Sequence, residues 1–247
     1  MSNLGQDSMM SWERSLKSEA IIIWEELQRR KKRNKIDIYY PDKGPFRREL
    51  YPKHLEFFRL GTEHRERLFL AANRVGKTEG TGGYELTCHL TGRYPHWWEG
   101  FRFNKAINAG AVGDTSKTTR DIIQAKLFGD ISHIGTGLIP GDTIIGKPVA
   151  KPGVPNAYEL ARILHVSGGI STLGLKSYDQ GVAAFQGTEQ DVILLDEEPP
   201  MDVYTECVLR TMATSWFDGG MIMCTFTPLL GMSEVVTMFL PGGKLPV

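Results

Sequence analysis

The segment Ala71-Ala72-Asn73-Arg74-Val75-Gly76-Lys77-Thr78 has the residue types and spacing of a phosphate-binding loop, with alanine in place of the first glycine. A bound polyphosphate needs backbone N–H groups turned inward around it. Side chains along the loop must therefore be small or point away, and the positive end of a following helix adds to the attraction. On this reading Ala72 through Thr78 cradle the phosphates of ATP, Lys77 reaches the β- and γ-phosphates, and Thr78 offers its hydroxyl to Mg²⁺. Arg74 either stabilises charge on the γ-phosphate in cis or faces solvent.

A second constellation is Val192-Ile193-Leu194-Leu195-Asp196-Glu197-Glu198, an apolar run ending in three carboxylates. In an open parallel sheet the carboxyl ends of the strands line the ligand crevice. That places Asp196 to hold Mg²⁺, directly or through water, and Glu197 to orient and deprotonate an attacking water. Glu198 is the second choice for the base, and Pro199 and Pro200 interrupt regular structure just beyond it. A third run, Met221 to Pro228, is another apolar strand that turns polar at its end. There Thr225 or Thr227 is placed to bond the γ-phosphate or the water. Upstream of the loop, Tyr51 and His54 either hold adenine or belong to a helix that packs Leu55 and Phe58 into the core. Thr91 to Phe103 interleaves aromatics with arginines, a pattern that stacks nucleotides in some proteins and packs a loop in others.

These residues need a scaffold that brings them to one edge. Arg67–Ala71 reads as a strand entering the loop, with a helix from about Lys77. Lys105–Val112, Ile163–Val166, Ser171–Leu175, Val192–Leu195 and Met221–Thr225 read as further strands. The last two are short and strongly apolar, as central strands covered on both faces are. Strands alternating with helices define an α/β fold: a mainly parallel central sheet flanked by helices. Residues 1–45 read as an N-terminal helical extension and 46–247 as the nucleotide-binding domain. In the extension, Leu16, Ala20, Ile23 and Leu27 form one stripe of a helix over Ser11–Arg33. The basic run Arg29–Arg33 with Lys35 is either its solvated end or a contact for DNA or a partner. Gly135–Pro155 reads as a surface excursion.

Composition narrows the class. With 247 residues, 41% apolar and 23% charged, the chain is globular and has ample material for a core. Twenty-nine basic and twenty-nine acidic residues cancel, so any nucleic-acid contact must come from a local patch. Cys88, Cys207 and Cys224 are scattered and read as reduced thiols of a cytosolic protein. The apolar run Ala20–Trp24 is too short to span a bilayer, and no membrane association is expected.

Taken together, the Ala71–Thr78 loop, the Thr91–Phe103 segment, Asp196-Glu197-Glu198-Pro199-Pro200 and Thr225-Phe226-Thr227-Pro228-Leu229 running on to Gly231-Met232-Ser233 resemble the large terminase subunit of tailed bacteriophages, in its N-terminal packaging ATPase domain. The resemblance implies a P-loop NTPase of the ASCE/RecA-like type. It also implies a motor that assembles as a ring on the portal vertex and pumps double-stranded viral DNA into a preformed capsid. Its partners would be the portal protein and the small terminase subunit, and its place the host cell cytoplasm. Lys77 and Thr78 match the Walker A residues, Asp196 and Glu197 the Walker B pair, Thr225 to Thr227 the coupling motif, and Tyr51 a position beside adenine. Where the family commonly has glutamine, this chain has His54. Arg120 and Arg210 are candidates for an arginine donated to a neighbouring subunit. Full-length members also carry a C-terminal nuclease. Only about fifty residues follow Glu197, too few for such a domain, so no DNA cleavage is expected from this chain. Competing readings are a helicase-like ATPase, which needs a second lobe, a small-molecule kinase with its lid near Gly135–Pro155, and an interaction module that binds nucleotide with little hydrolysis.

Overall fold

The computed structural model describes residues 12, 16–26, 34–72, 74–212, 219–228 and 231–240. Its centre is a seven-stranded sheet: β1 Glu66–Leu70, β2 Asn108–Gly113, β3 Val149–Ala150, β4 Tyr158–Leu164, β5 Ile170–Ser177, β6 Val192–Asp196 and β7 Met221–Phe226. The strand order is β1-β7-β6-β2-β5-β4-β3. β1, β7, β6, β2 and β5 run parallel, and β4 pairs antiparallel on both sides. The sheet is thus mainly parallel, as expected. β6 and β7 are buried at every position, which explains why their sequences are apolar without alternation.

One face of the sheet is covered by the Pro52–Arg59 helix and by the long helical run from Lys77 to Thr91. That side buries Phe57, Phe58, Tyr84, Leu86 and Leu90 against Ala109, Ala111, Leu173, Leu194 and Met223. On the other face the Met201–Thr211 and Glu234–Phe239 helices cover β1, β7 and β6 through Val203, Tyr204, Cys207, Val235 and Val236. Close contact between the loop helix and the sheet is made possible by Gly82, where an added Cβ would stand 2.5 Å from Leu194 Cδ1.

Three sequence readings change in detail. β4 and β5 form an antiparallel hairpin longer than the two short strands expected there. Gly135–Pro155 is more than a surface excursion: Leu138 and Ile139 are fully buried, and Ile144 bridges to Ile163. The end of the N-terminal extension packs on the body, since Ile36 and Tyr40 join the core beside Phe58 and Tyr84. Of the expected helix over 11–33, residues 16–26 are helical, with Leu16 and Ile23 exposed. Its basic run 29–33, Leu229 and the tail 241–247 lie outside the described residues. The Thr91–Phe103 segment is a packed loop: Trp98 and Phe103 are buried, and Tyr94 accepts the Phe103 N–H at 2.8 Å. All three cysteines are buried and unpaired by disulfide. No helix among the described residues is long and apolar enough to cross a membrane.

Candidate active site

The loop leaves β1 at Leu70 and re-enters helix at Lys77. Two backbone conformations make the turn: Arg74 at φ 65° and Gly76 at φ 88°, both left-handed and in glycine's case without steric cost. The helix begins with wide turns, the N–H groups of Gly80 and Thr81 both bonding to Gly76 O (2.7 and 3.0 Å). Ala72, Arg74 and Val75 are exposed, while Lys77 is buried. Asn73 lies outside the described residues.

Three strands converge on the loop. Lys77 Nζ donates to Thr227 Oγ1 at 2.7 Å and to Ala72 O at 3.2 Å. Thr227 in turn donates to Ala71 O at 2.8 Å. Thr78 Oγ1 lies 2.9 and 3.0 Å from the two carboxylate oxygens of Asp196, and Thr225 donates to Asp196 Oδ1 at 2.8 Å. Thr225 and Thr227, left as alternatives by the sequence, therefore have different work: one holds the acidic residue, the other the loop lysine. Burial raises the Asp196 carboxyl to about 6, against the pull of the Thr225 and Thr78 hydroxyls.

The oxygen set suits a small hard cation. Mg²⁺ takes oxygens at about 2.0–2.1 Å in an octahedron, so neighbouring ligand oxygens stand roughly 3 Å apart. The Thr78–Asp196 separation matches that edge. No group of three or more His, Cys, Asp or Glu suited to a metal occurs among the described residues.

Glu197 follows Asp196 with φ 77°, a conformation costly for a residue with a side chain and typical of functional sites. Its carbonyl accepts the Tyr178 hydroxyl at 2.8 Å. Burial pushes that phenol far up, so it stays protonated. Glu198 Oε2 is enclosed without a hydrogen-bond partner among the described residues.

Beside the loop lies a cavity of about 500 Å³ lined by Tyr39, Tyr40, Phe46, Tyr51, His54 and Arg74, among others. Tyr51 and His54 are both brought to it. However, Nδ1 of His54 is engaged by the Tyr40 hydroxyl (2.7 Å) and Nε2 faces Val75 O (3.1 Å). The Tyr40 hydroxyl also donates to Gly80 O. His54 thus braces the phosphate loop from behind. Sequence reasoning missed Tyr40. Its only signal was an aromatic pair just before the Pro41 break, far from any motif.

The arginine candidates separate. Arg210 lies at the far edge of the sheet, where its carbonyl accepts the Gln190 N–H just before β6, and its side chain pairs with Glu206 at 2.9 Å. Arg120 follows the carboxyl end of β2, on the edge that carries Asp196, and its guanidinium meets Asp121 and the carbonyl of Pro155 (3.0 Å).

A phosphate loop on one strand, an acidic residue on a strand two places away, and a parallel sheet presenting both at its carboxyl edge define a P-loop nucleoside-triphosphatase fold of the ASCE/RecA-like type. Within that class the chain belongs to the terminase large subunit family: residues 68–244 match the family described as terminase large subunit, T4likevirus-type, N-terminal. It is 37% identical over 210 residues to the large terminase subunit of Salmonella phage P22, an alignment covering 77% of this chain and 41% of that protein. The chain therefore spans about two fifths of the length of that relative. Among solved structures it is similar to the large terminase from a thermophilic bacteriophage (TM-score 0.48, 13% identity, 80% of this chain and 38% of that one). It is also similar to the large terminase ATPase domain of Thermus phage P74-26 (TM-score 0.43, 16% identity, 72% and 68%).

Proposed function

We propose that this chain hydrolyses ATP with Mg²⁺ and that hydrolysis drives double-stranded viral DNA into a preformed capsid. The observation that carries the reading is the meeting of Lys77, Thr78, Asp196 and Thr227 within hydrogen-bonding distance at the carboxyl edge of the sheet, with Glu197 adjoining in a strained backbone conformation. Loop N–H groups and Lys77 bind the β- and γ-phosphates. Thr78 and Asp196 hold Mg²⁺, which when bound neutralises charge on the phosphate oxygens. Glu197 takes a proton from water as the water oxygen bonds to the γ-phosphorus. The bond from that phosphorus to the β–γ bridging oxygen breaks, and ADP and phosphate leave. Thr227 links Lys77 to the end of β7, a route by which loss of the γ-phosphate is felt in the next segment of chain. Tyr51 and the neighbouring aromatics receive adenine, with His54 holding the loop beneath. Arg74 faces the same cavity.

Of the two arginines offered to a neighbour, Arg120 is on the correct edge. A ring of subunits with the portal protein and the small terminase subunit, working in the host cell cytoplasm, is the assembly this reading calls for. It rests on the family membership. The test is steady-state ATP hydrolysis by the wild type, Lys77→Ala and Glu197→Ala across a wide range of protein concentration. Turnover abolished by both substitutions supports the reading, and a rate per subunit that rises with concentration supports an arginine supplied in trans. ATP binding without Glu197-dependent turnover, unrestored by DNA or portal, would leave a nucleotide-binding interaction module instead.

A further inference from the structure

Glu197 has φ 77°, a left-handed conformation disfavoured for a residue with a Cβ that persists only where the surroundings fix it. Its own N–H makes a long contact of 3.4 Å to Thr225 O. The firmer restraint is on its carbonyl, which accepts the Tyr178 hydroxyl at 2.8 Å. Tyr178 stands 19 residues before Glu197 in the chain. It follows the last residue of β5, which is separated from β6 by β2. Its ring is buried in the cluster containing Val112, Ile193 and Leu195.

The base of this side chain is itself pinned. Asp179 N–H bonds to Asp114 O at 3.2 Å. Ser177 Oγ lies 2.8 Å from Ser116 Oγ, and Ser116 N–H bonds to Asp179 Oδ2 at 3.2 Å. Tyr178 is therefore a short rigid strut between the carboxyl ends of β2, β5 and β6. A buried phenol needs a hydrogen-bond partner, and many backbone carbonyls would serve. Here the partner is the peptide directly after the proposed general base.

We propose that Tyr178 is a positioning residue for nucleotide hydrolysis, its hydroxyl holding the Glu197–Glu198 peptide so that the Glu197 carboxylate is aimed at the attacking water. This rests on the assignment of Glu197 as the base. The Tyr178 hydroxyl bonds to a backbone carbonyl, while the Asp196 carboxylate is bonded by Thr78 and Thr225, so substrate binding should depend little on Tyr178.

Tyr178→Phe keeps the ring and removes one oxygen. ATP hydrolysis with Mg²⁺ is compared for the wild type, Tyr178→Phe, Glu197→Gln and the double variant, with thermal unfolding of each. The expected result is a fall in kcat of about 10- to 100-fold for Tyr178→Phe, the range for a reacting group displaced by about an ångström. KM for ATP should stay within about 2-fold, and the substitution should cause no further loss in the Glu197→Gln background. A kcat within about 2-fold of wild type overturns the proposal while leaving Glu197 as base. So does an equal loss in the Glu197→Gln background, which would mark a merely structural role. If Glu197→Gln itself turns over at the wild-type rate, the base assignment fails and the proposal with it.

Discussion

Replacing Asp196 with asparagine should stabilise the nucleotide-free protein while removing its activity. Burial lifts the Asp196 carboxyl from 3.8 to about 6, so above pH 6 the folded protein carries a carboxylate that would be better solvated in the unfolded chain. Each pH unit by which the carboxyl is raised corresponds to about 1.4 kcal/mol, so the rise here amounts to about 3 kcal/mol. The folded state holds the proton more tightly than the unfolded state between about pH 4 and pH 6. Stability from this group is therefore fully present below about pH 4 and is lost as pH rises through 6. Asparagine keeps the shape, still accepts from Thr225 and has no charge to desolvate. At pH 8 the variant should gain roughly 2–3 kcal/mol, seen as a Tm raised by roughly 5–10 °C for a domain of this size. At pH 4 the gain should shrink to below about 1 kcal/mol. The assay is urea unfolding of both proteins without nucleotide at the two pH values, alongside Mg²⁺-dependent ATP hydrolysis. A variant less stable than wild type at pH 8, or a gain that does not change with pH, would refute the reasoning.

Glu85 is fully buried, paired with Arg67 at 2.9 Å and His89 at 3.2 Å. Desolvation pushes its carboxyl up, but Arg67 and His89 outweigh this and hold it below the usual range. Glu85→Ala should therefore destabilise by about 3–5 kcal/mol by stranding the arginine, measured by denaturant unfolding. Thr227→Val removes the hydroxyl between Lys77 Nζ and Ala71 O, and should lower kcat about 10-fold or more with ATP affinity changed only a few-fold, read by turnover and equilibrium binding. Gly82→Ala places a Cβ 2.5 Å from Leu194 Cδ1 and 3.0 Å from Thr225 Cγ2. It should cost about 1–3 kcal/mol by overpacking, measured by thermal unfolding. Mg²⁺-nucleotide binding, followed by titration, should weaken as well, because the loop helix must lift away from Asp196.

Elements specified by local pattern stand in the structure with small shifts. Leu68-Phe69-Leu70 before the loop, the apolar β6 and β7, and the helix after Lys77 are each legible within a few residues. Apolar runs of that length fit a covered sheet, and the loop's residue types suit its turn. The hairpin of β4 and β5 is longer than its sequence suggests because Glu159 and Arg162 break the apolar run. Pairing with β5 over Leu160–Leu164 and with β3 at Tyr158 and Leu160 carries the strand through those polar positions, both of which are exposed.

The sequence by itself determined the chemistry available: a lysine and threonine on a phosphate loop, carboxylates at a strand end, threonines at another. Each is a short stretch whose period and residue types are local properties. The tertiary structure decided which of them meet. Only the order β1-β7-β6 sets Thr225 on Asp196 and Thr227 on Lys77. Only long-range packing carries Tyr178 to the Glu197 carbonyl and Tyr40 to His54, and it sends Arg120 and Arg210 to opposite edges of the sheet. A hydrogen bond between residues far apart in sequence leaves no periodic trace in the chain, because it depends on strand order and register, which are fixed by the packing of the whole sheet.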